Sequence, residues 1–191
     1  GEVLPILPEE DARALTDRIA RVSRLEPHLR RRLRALDPGA LPLGPGGGEV
    51  AERRLDLPES LAPDRLAALC AAWAARSMGR SACDLAWRDA ESAALAWPGH
   101  VSDWVPVRFD ATPETPFGAA ADAFAEDLAR ARRAGGFALD LVARDPEIGA
   151  ARPQVALDLS ESGGLADGAP VTLALGAAPA LRYDSAAFDA G

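Results

Sequence analysis

The sequence predicts an α/β chain: a mixed sheet with helices packed on one face (an α+β sandwich), preceded by a helical segment. Three features predict it. Two long stretches, Pro63 to Met78 and the run from Pro116 to Gly135, carry apolar residues at helical spacing. Short apolar runs of strand length lie between and after them, at Asp84 to Trp87, Val101 to Phe109, Gln154 to Leu159 and Val171 to Leu175. A Gly/Pro run, Pro42 to Gly48, sets the first 48 residues apart from this α/β texture.

The elements follow in order. Pro8 to Val22 reads as a helix, with Glu9, Glu10 and Asp11 in the first turn, where negative charge suits the helix dipole, and Leu15, Ile19 and Val22 on one face. A second helix after Pro27 places Leu29, Leu33 and Leu36 on one side and Arg30, Arg31, Arg32 and Arg34 around it, and Asp37-Pro38-Gly39 ends it. Val50 to Leu57 is a candidate strand that alternates only in part. Pro63 to Met78 is a helix with Leu66, Leu69, Cys70 and Trp73 as its apolar stripe and Gly79 as its stop. Arg88 to Trp97 reads as a loop with a helical turn. Pro106 gives the strand from Val101 to Phe109 an edge position or a bulge. Thr115-Pro116 is spaced as a cap followed by a first-turn proline. Phe117, Ala121, Phe124, Leu128 and Ala131 form the next buried stripe, Glu126 and Arg130 a surface pair, and Gly135-Gly136 the end. Phe137 to Ala143 reads as one short helix; Gln154 to Leu159 and Val171 to Leu175 alternate like antiparallel strands, and Leu181 to Tyr183 is a third candidate.

Composition narrows the class. A chain of 191 residues, 48% hydrophobic and 26% charged, supports one domain, or one lobe of a larger enzyme, with its own core. Aromatics are only 5%, so alanine and leucine must fill much of the interior. All 21 basic residues are arginine, a mark of compositional bias. The net charge of −8 argues against a nucleic-acid backbone as partner. No run of about 18 apolar residues is present, so the expectation is no membrane partner and a cytoplasmic location. Cys70 and Cys83 are too few for a disulfide framework, and Cys70 reads as a small core residue, although a bridge to Cys83 stays open.

Several chemistries lack their residues. Pro42 to Gly48 is followed by Glu49-Val50, where a phosphate-binding loop needs Lys-Ser/Thr. There is no zinc spacing, no dinucleotide fingerprint and no Gly-x-Ser-x-Gly elbow. Ser102-Asp103, Ser160-Glu161-Ser162 and the carboxylates Asp158 and Glu161 have no spacing that makes an acid–base pair of them. The expectation is therefore no cofactor, no metal and no catalytic residue.

One run carries more information: Gly99-His100-Val101-Ser102-Asp103-Trp104-Val105-Pro106-Val107-Arg108. It resembles a segment of the condensation domains of nonribosomal peptide synthetases, where a Gly-x-Phe-Val-Asn-like stretch ends in Pro-Leu-Arg; Asp103 stands where asparagine is common. The likeness extends from Glu49 onward. Arg53-Arg54-Leu55-Asp56-Leu57-Pro58 resembles the first strand of that family's C-terminal lobe, and Asp84-Leu85-Ala86-Trp87 the strand after its helices. Phe117 to Arg133 resembles the amphipathic helix, and Phe137 to Arg144 the "Pro-Phe-Asp-x-Leu-Val" helix. Leu181-Arg182-Tyr183-Asp184 with Phe188-Asp189 resembles the late "Tyr-Asp … Phe-Asp" signature. The resemblance implies a single chloramphenicol-acetyltransferase-like lobe over residues 49–191, with residues 1–48 as an N-terminal helical segment and linker. The family has two helices between the first two strands of this lobe; here the sequence supplies one.

The family's His-His-x-x-x-Asp-Gly motif is missing, and the only histidines are His28 and His100. General-base work needs a near-neutral group within reach of the proton. His100 has no companion in motif spacing and reads as a surface residue, as does His28. The resemblance thus implies a truncated, noncatalytic condensation-like domain, a platform for an adjacent adenylation domain or a carrier protein of an assembly line. The alternative is an acyltransferase half that completes its active site with another lobe or chain. A stand-alone small-molecule or carrier-protein binder is a third reading. Candidate interface residues are Arg30, Arg31 and Arg34 on the second helix and the aromatic set Trp87, Trp97 and Trp104. Arg108 is a candidate structural anchor for an internal carboxylate, and Asp140 with Arg144 a candidate local pair.

Overall fold

A computed structural model describes residues 7–44, 46–57, 60–149, 151–166 and 168–188. Among them, six strands form one mixed sheet in the order β1-β6-β5-β4-β2-β3. The strands are β1 (Val50–Arg54), β2 (Ala82–Arg88), β3 (Val105–Asp110), β4 (Val155–Asp158), β5 (Val171–Ala174) and β6 (Ala180–Asp184). The helices are α1 (Glu9–Ser23), α2 (Glu26–Arg34), α3 (Pro63–Ser77), α4 (Ala90–Leu95), α5 (Phe117–Ala134) and α6 (Asp140–Arg144). Pro58 and Asp189 of the family-like runs lie outside the described residues.

β2, β4 and β5 run parallel; the other pairings are antiparallel. This corrects the antiparallel reading of Gln154–Leu159 and Val171–Leu175. Every residue of β4 and β5 is buried. Strands covered on both faces have no solvent side to produce true alternation. The apparent alternation comes from Asp158 and Thr172, polar groups that are buried and hydrogen-bonded: the Thr172 hydroxyl accepts from the Ala166 N–H at 3.1 Å. Pro106 does sit in an edge strand, β3, which is shorter than the sequence suggests. Val101 lies ahead of it and bridges Trp97 and Ala138.

α3 and α5 pack on one face. A single row of register partners crosses all six strands on that face: Arg53, Leu181, Leu173, Leu157, Trp87 and Val105. Burial along the row shows where the helical layer reaches. Val105, Trp87, Leu157 and Leu173 are buried, Leu181 is half-buried and Arg53 is exposed. Phe124 of α5 meets Phe109 edge-on at 5.7 Å between centroids, and Arg132 of α5 lies 5.1 Å from the Trp87 ring.

The burial of α3 corrects its expected stripe. Leu66 and Cys70 are buried, but Leu69 and Trp73 are 41% and 46% exposed. The packed surface consists of Ala67, Ala68, Ala71, Ala74 and Ala75, small side chains that let the helix approach the sheet and α5 closely. On α5, Phe117 is exposed while Ala121, Phe124, Leu128 and Ala131 are buried. Pro116 occupies the N-cap position with no side-chain cap, and the Thr115 hydroxyl pairs with that of Thr112 at 2.9 Å. Arg130 pairs with Asp127 at 3.3 Å, not with Glu126. Gly135 ends α5 in the left-handed region, at φ 67°. α6 begins only at Asp140, because Ala138 pairs with Val101 and the Phe137 N–H donates to the Ser102 hydroxyl at 2.9 Å. The loop after β2 contains α4, started by a capping box between Asp89 and Ser92.

The first segment is fastened to the lobe. Leu29 and Leu33 of α2 enter the main core, and Leu15 and Val22 of α1 pack with Leu95, Val101 and Ala138. The chain then runs across the amino ends of the parallel strands. The Asp37 carbonyl accepts from the Asp84 N–H at 3.0 Å, Leu41 N–H bonds to the Gln154 side chain, and the Gly44 N–H donates to the Ala187 carbonyl at 2.7 Å. The Gly47 and Gly48 N–H groups donate to the Asp184 carboxylate at 2.6 and 2.8 Å. The glycine-rich run does cradle an anion, and that anion is the chain's own Asp184.

Candidate functional site

Two features of the folded chain go beyond packing. The first is a buried ionic cluster at the carboxyl ends of β2 and β4. Arg88 and Asp158 are register partners on these parallel strands, with side chains 5% and 1% exposed. Arg88 Nη2 donates to Asp158 Oδ2 at 2.6 Å, and Nη1 donates to Asp103 Oδ2 at 2.9 Å. The same guanidinium reaches the carbonyls of Leu165, Gly163 and Gly164 at 3.2 to 3.4 Å, tying down the loop that follows β4. Asp158 Oδ1 accepts from the N–H and hydroxyl of Ser160 at 2.8 and 2.6 Å. Burial alone would raise the Asp158 pKa, yet the bonds from Arg88 and Ser160 outweigh it and hold the carboxyl below its ordinary value. Burial also opposes charge on Arg88, and the two carboxylates overcome it and push its pKa up. Both groups are locked in their charged forms, which suits a structural anchor and not proton transfer.

The second feature is an apolar trough beside α3. It has a volume of about 590 Å³ and is walled by Leu69 and Trp73 of the helix and by Leu173, Leu181, Leu55 and Leu57 of the sheet side. Trp73 is the exposed tryptophan here, whereas the sequence assigns it to a buried stripe. What hid the trough is the alanine content of α3: when alanines take the packed face, the larger residues are left outside.

The residues singled out in the sequence are distributed as follows. Trp87 and Trp104 are buried and supply core, not surface. Trp87 Nε1 donates to Asp89 at 3.1 Å, and Trp104 meets Phe137 edge-on at 5.1 Å. Trp97 is half-buried, with Arg18 4.9 Å from its ring. The three do not form an exposed aromatic patch. Arg30 pairs with Glu26 at 2.9 Å and approaches Asp145 at 3.4 Å; Arg34 pairs with Asp145 and Glu147 at 2.8 and 2.7 Å. Arg32 bridges Asp127 and Asp84 at 3.0 and 3.5 Å. The arginine helix is therefore spent largely on its own lobe. Arg31 is exposed and has no ion pair among the described residues. Arg108 lies 3.3 Å from the buried Asp84, whose carboxyl burial pushes up in pKa against the pull of the Asp37 N–H and of Arg32 and Arg108. Arg144 pairs with Asp140 at 3.0 Å and with Glu26 at 3.2 Å.

The remaining reactive groups are dispersed. His100 is exposed in the turn between Trp97 and Val101. His28 is half-buried on α2, and burial together with Arg32 and Arg31 lowers its pKa. Cys70 and Cys83 are free, buried thiols, pushed up to about 11 and about 12 by burial. Among the described residues no cluster of His, Cys, Asp or Glu is arranged to hold a metal ion, and no helix is long and apolar enough to cross a membrane.

No protein-family model matches the sequence, and no curated protein matches it significantly. Solved structures do. The starter condensation domain of rhizomide synthetase RzmA, solved in complex with C8-CoA, matches with a TM-score of 0.60 at 15% identity over 93% of this chain and 50% of that one. The cyclization-docking bidomain of EpoB from Sorangium cellulosum matches with a TM-score of 0.64 at 15% identity, over 99% of this chain and 49% of that one. The epimerization domain from the third module of tyrocidine synthetase B matches with a TM-score of 0.59 at 9% identity, over 98% and 56%. The chain spans about half the length of the solved structures it matches. It has the single-lobe fold of condensation-type domains: a mixed six-stranded sheet with helices packed against it.

Proposed function

We propose that the chain is a noncatalytic, condensation-like platform in a nonribosomal peptide assembly line, and that it supports an adjacent adenylation domain. One observation carries the proposal. The fold spans one half of a condensation-type domain, and the His-His-x-x-x-Asp-Gly motif, which the resemblance assigns to the other lobe, is absent from the residues of this one. The rest of the chain fits. Its arginine–carboxylate pairs, the buried Arg88–Asp158 and the half-buried Arg108 on the buried Asp84, serve the lobe itself, and its histidines lie on separate elements. A fold survives loss of chemistry because packing draws on many apolar side chains, whereas proton transfer draws on a few placed groups.

The test is reconstitution with the adenylation domain of the same assembly line. Removing this chain is expected to lower the soluble yield or the ATP–pyrophosphate exchange of that domain. His100→Ala is expected to leave both unchanged. Loss of peptide product in a soluble His100→Ala variant would overturn the noncatalytic reading and favour an acyltransferase half completed by another lobe. Unchanged yield and exchange on removal would overturn the platform.

A further inference from the structure

We propose that the trough beside α3 is a docking groove for an acidic amphipathic helix of a partner protein. The inference stands on the fold alone and does not require the assembly-line role. Along the row of residues that crosses the sheet, the helical layer covers β3, β2, β4 and β5 and then stops: Leu173 of β5 is still buried, Leu181 is half-buried and Arg53 is exposed. From β5, the last covered strand, to the edge strand β1 is two interstrand spacings, about 10 Å, comparable to the diameter of one helix with its side chains. The wall is α3 itself. From Leu69 to Arg76 it offers roughly 10 Å of length, about two turns of a second helix lying alongside. Leu69 and Trp73 project from this wall, at 41% and 46% exposure, toward the same space as Leu181. An aromatic anchor beside leucines in an apolar groove is the kind of surface that dominates helix-in-groove binding.

Charge selects the occupant. Arg76 lines the trough on the α3 side, and Arg53 flanks Leu181 on the β1 side. Both are exposed, and among the described residues neither has a carboxylate partner, whereas α2 and the sheet interior pair most of their arginines. In a chain of net charge −8, these two unpaired cations outnumber the one carboxylate beside the lining among the described residues, the exposed Asp56 between Leu55 and Leu57, and leave the banks of the apolar trough locally positive. A helix with leucines at i, i+3, i+4 and i+7 and glutamates on both flanks complements it in shape and charge.

The experiment titrates the full chain into a fluorescein-labelled peptide of about 16 residues, long enough for some helicity in water, with that leucine spacing and glutamate flanks. A scrambled peptide of equal composition and a lysine-flanked one are the comparisons. Saturable anisotropy is expected for the glutamate peptide, weakening with salt, and at least 10-fold weaker binding for the other two. Trp73→Ser and Leu69→Asp, both at exposed positions, are expected to cost at least 10-fold with unchanged circular dichroism. Phe117→Ser, an exposed aromatic on α5, is expected to cost nothing. Arg76→Glu is expected to weaken the glutamate peptide and strengthen the lysine peptide. Equal binding of the scrambled peptide, no saturation with the glutamate peptide, or sedimentation showing that two copies of the chain cover Trp73 overturns the proposal.

Discussion

Replacing Arg88 with methionine removes the cation bonded to Asp158 while keeping most of the side-chain volume. What remains is a carboxylate 1% exposed, held by Ser160, with Arg182 only at 3.8 Å. The loop carbonyls of Gly163, Gly164 and Leu165 lose their donor in the same step. Breaking a buried pair from one side costs about 3–5 kcal/mol, because the other charge is stranded. Asp158→Asn is milder: Arg88 keeps Asp103 at 2.9 Å and its carbonyl contacts, so the loss is that of a bond to a charged group, about 2 kcal/mol. The assay is equilibrium urea unfolding followed by tryptophan fluorescence. With a slope of about 2 kcal/mol per molar, Arg88→Met moves the midpoint down by roughly 2 M and Asp158→Asn by roughly 1 M. Because the folded-state pKa of Asp158 lies below its ordinary value, its contribution is whole at neutral pH and fades as pH falls through that lower value. The gap between the unsubstituted chain and Asp158→Asn should hold from pH 7 to about pH 4 and close below it. An Arg88→Met loss smaller than that of Asp158→Asn, or a gap that widens in acid, would refute the reasoning.

Leu29→Ala is expected to cost about 3 kcal/mol in one cooperative transition, since Leu29 sits in the main core; a separate early transition would show that α2 melts alone. Gly135→Ala should lose about 1–2 kcal/mol on thermal unfolding, because φ is 67° and the added Cβ would stand 2.7 Å from the Leu95 side chain. With full burial and a pKa of about 12, Cys83 should react with a disulfide reagent at pH 8 only as fast as the chain unfolds, whereas Cys70, which lines the trough at 6% exposure with a pKa of about 11, should react sooner; stopped-flow comparison in denaturant separates the two.

Much of the fold is legible in the sequence because its signals are local. The glycine after α5, the acidic first turn of α1 and the proline in β3 each act within a few residues, and each is where those residue types put it. The rest depends on distant partners. Whether Trp73 or Ala71 faces the sheet cannot be read from the apolar pattern of α3, since both faces are apolar and only α5 and the strands decide between them. Asp158 and Thr172 look like solvent positions, yet a loop that no periodicity announces covers them. The Arg88–Asp158 pair joins residues 70 positions apart with nothing in their neighbourhoods to signal it. The trough was illegible for the same reason as the α3 face.

Strand β1 has a consequence for how the chain is made. Val50 is the register partner of Asp184, and Arg54 of Ala180. Residues of β1 must therefore wait for partners about 130 positions further along the chain before this edge can close, and contacts of such long sequence separation form slowly. Until then the segment of glycines that will hold Asp184 has no carboxylate to grip, and the nascent β1 leaves the neighbouring place on the sheet open to other strands. Translation speed between β1 and β6 should accordingly decide how much of this lobe is recovered soluble.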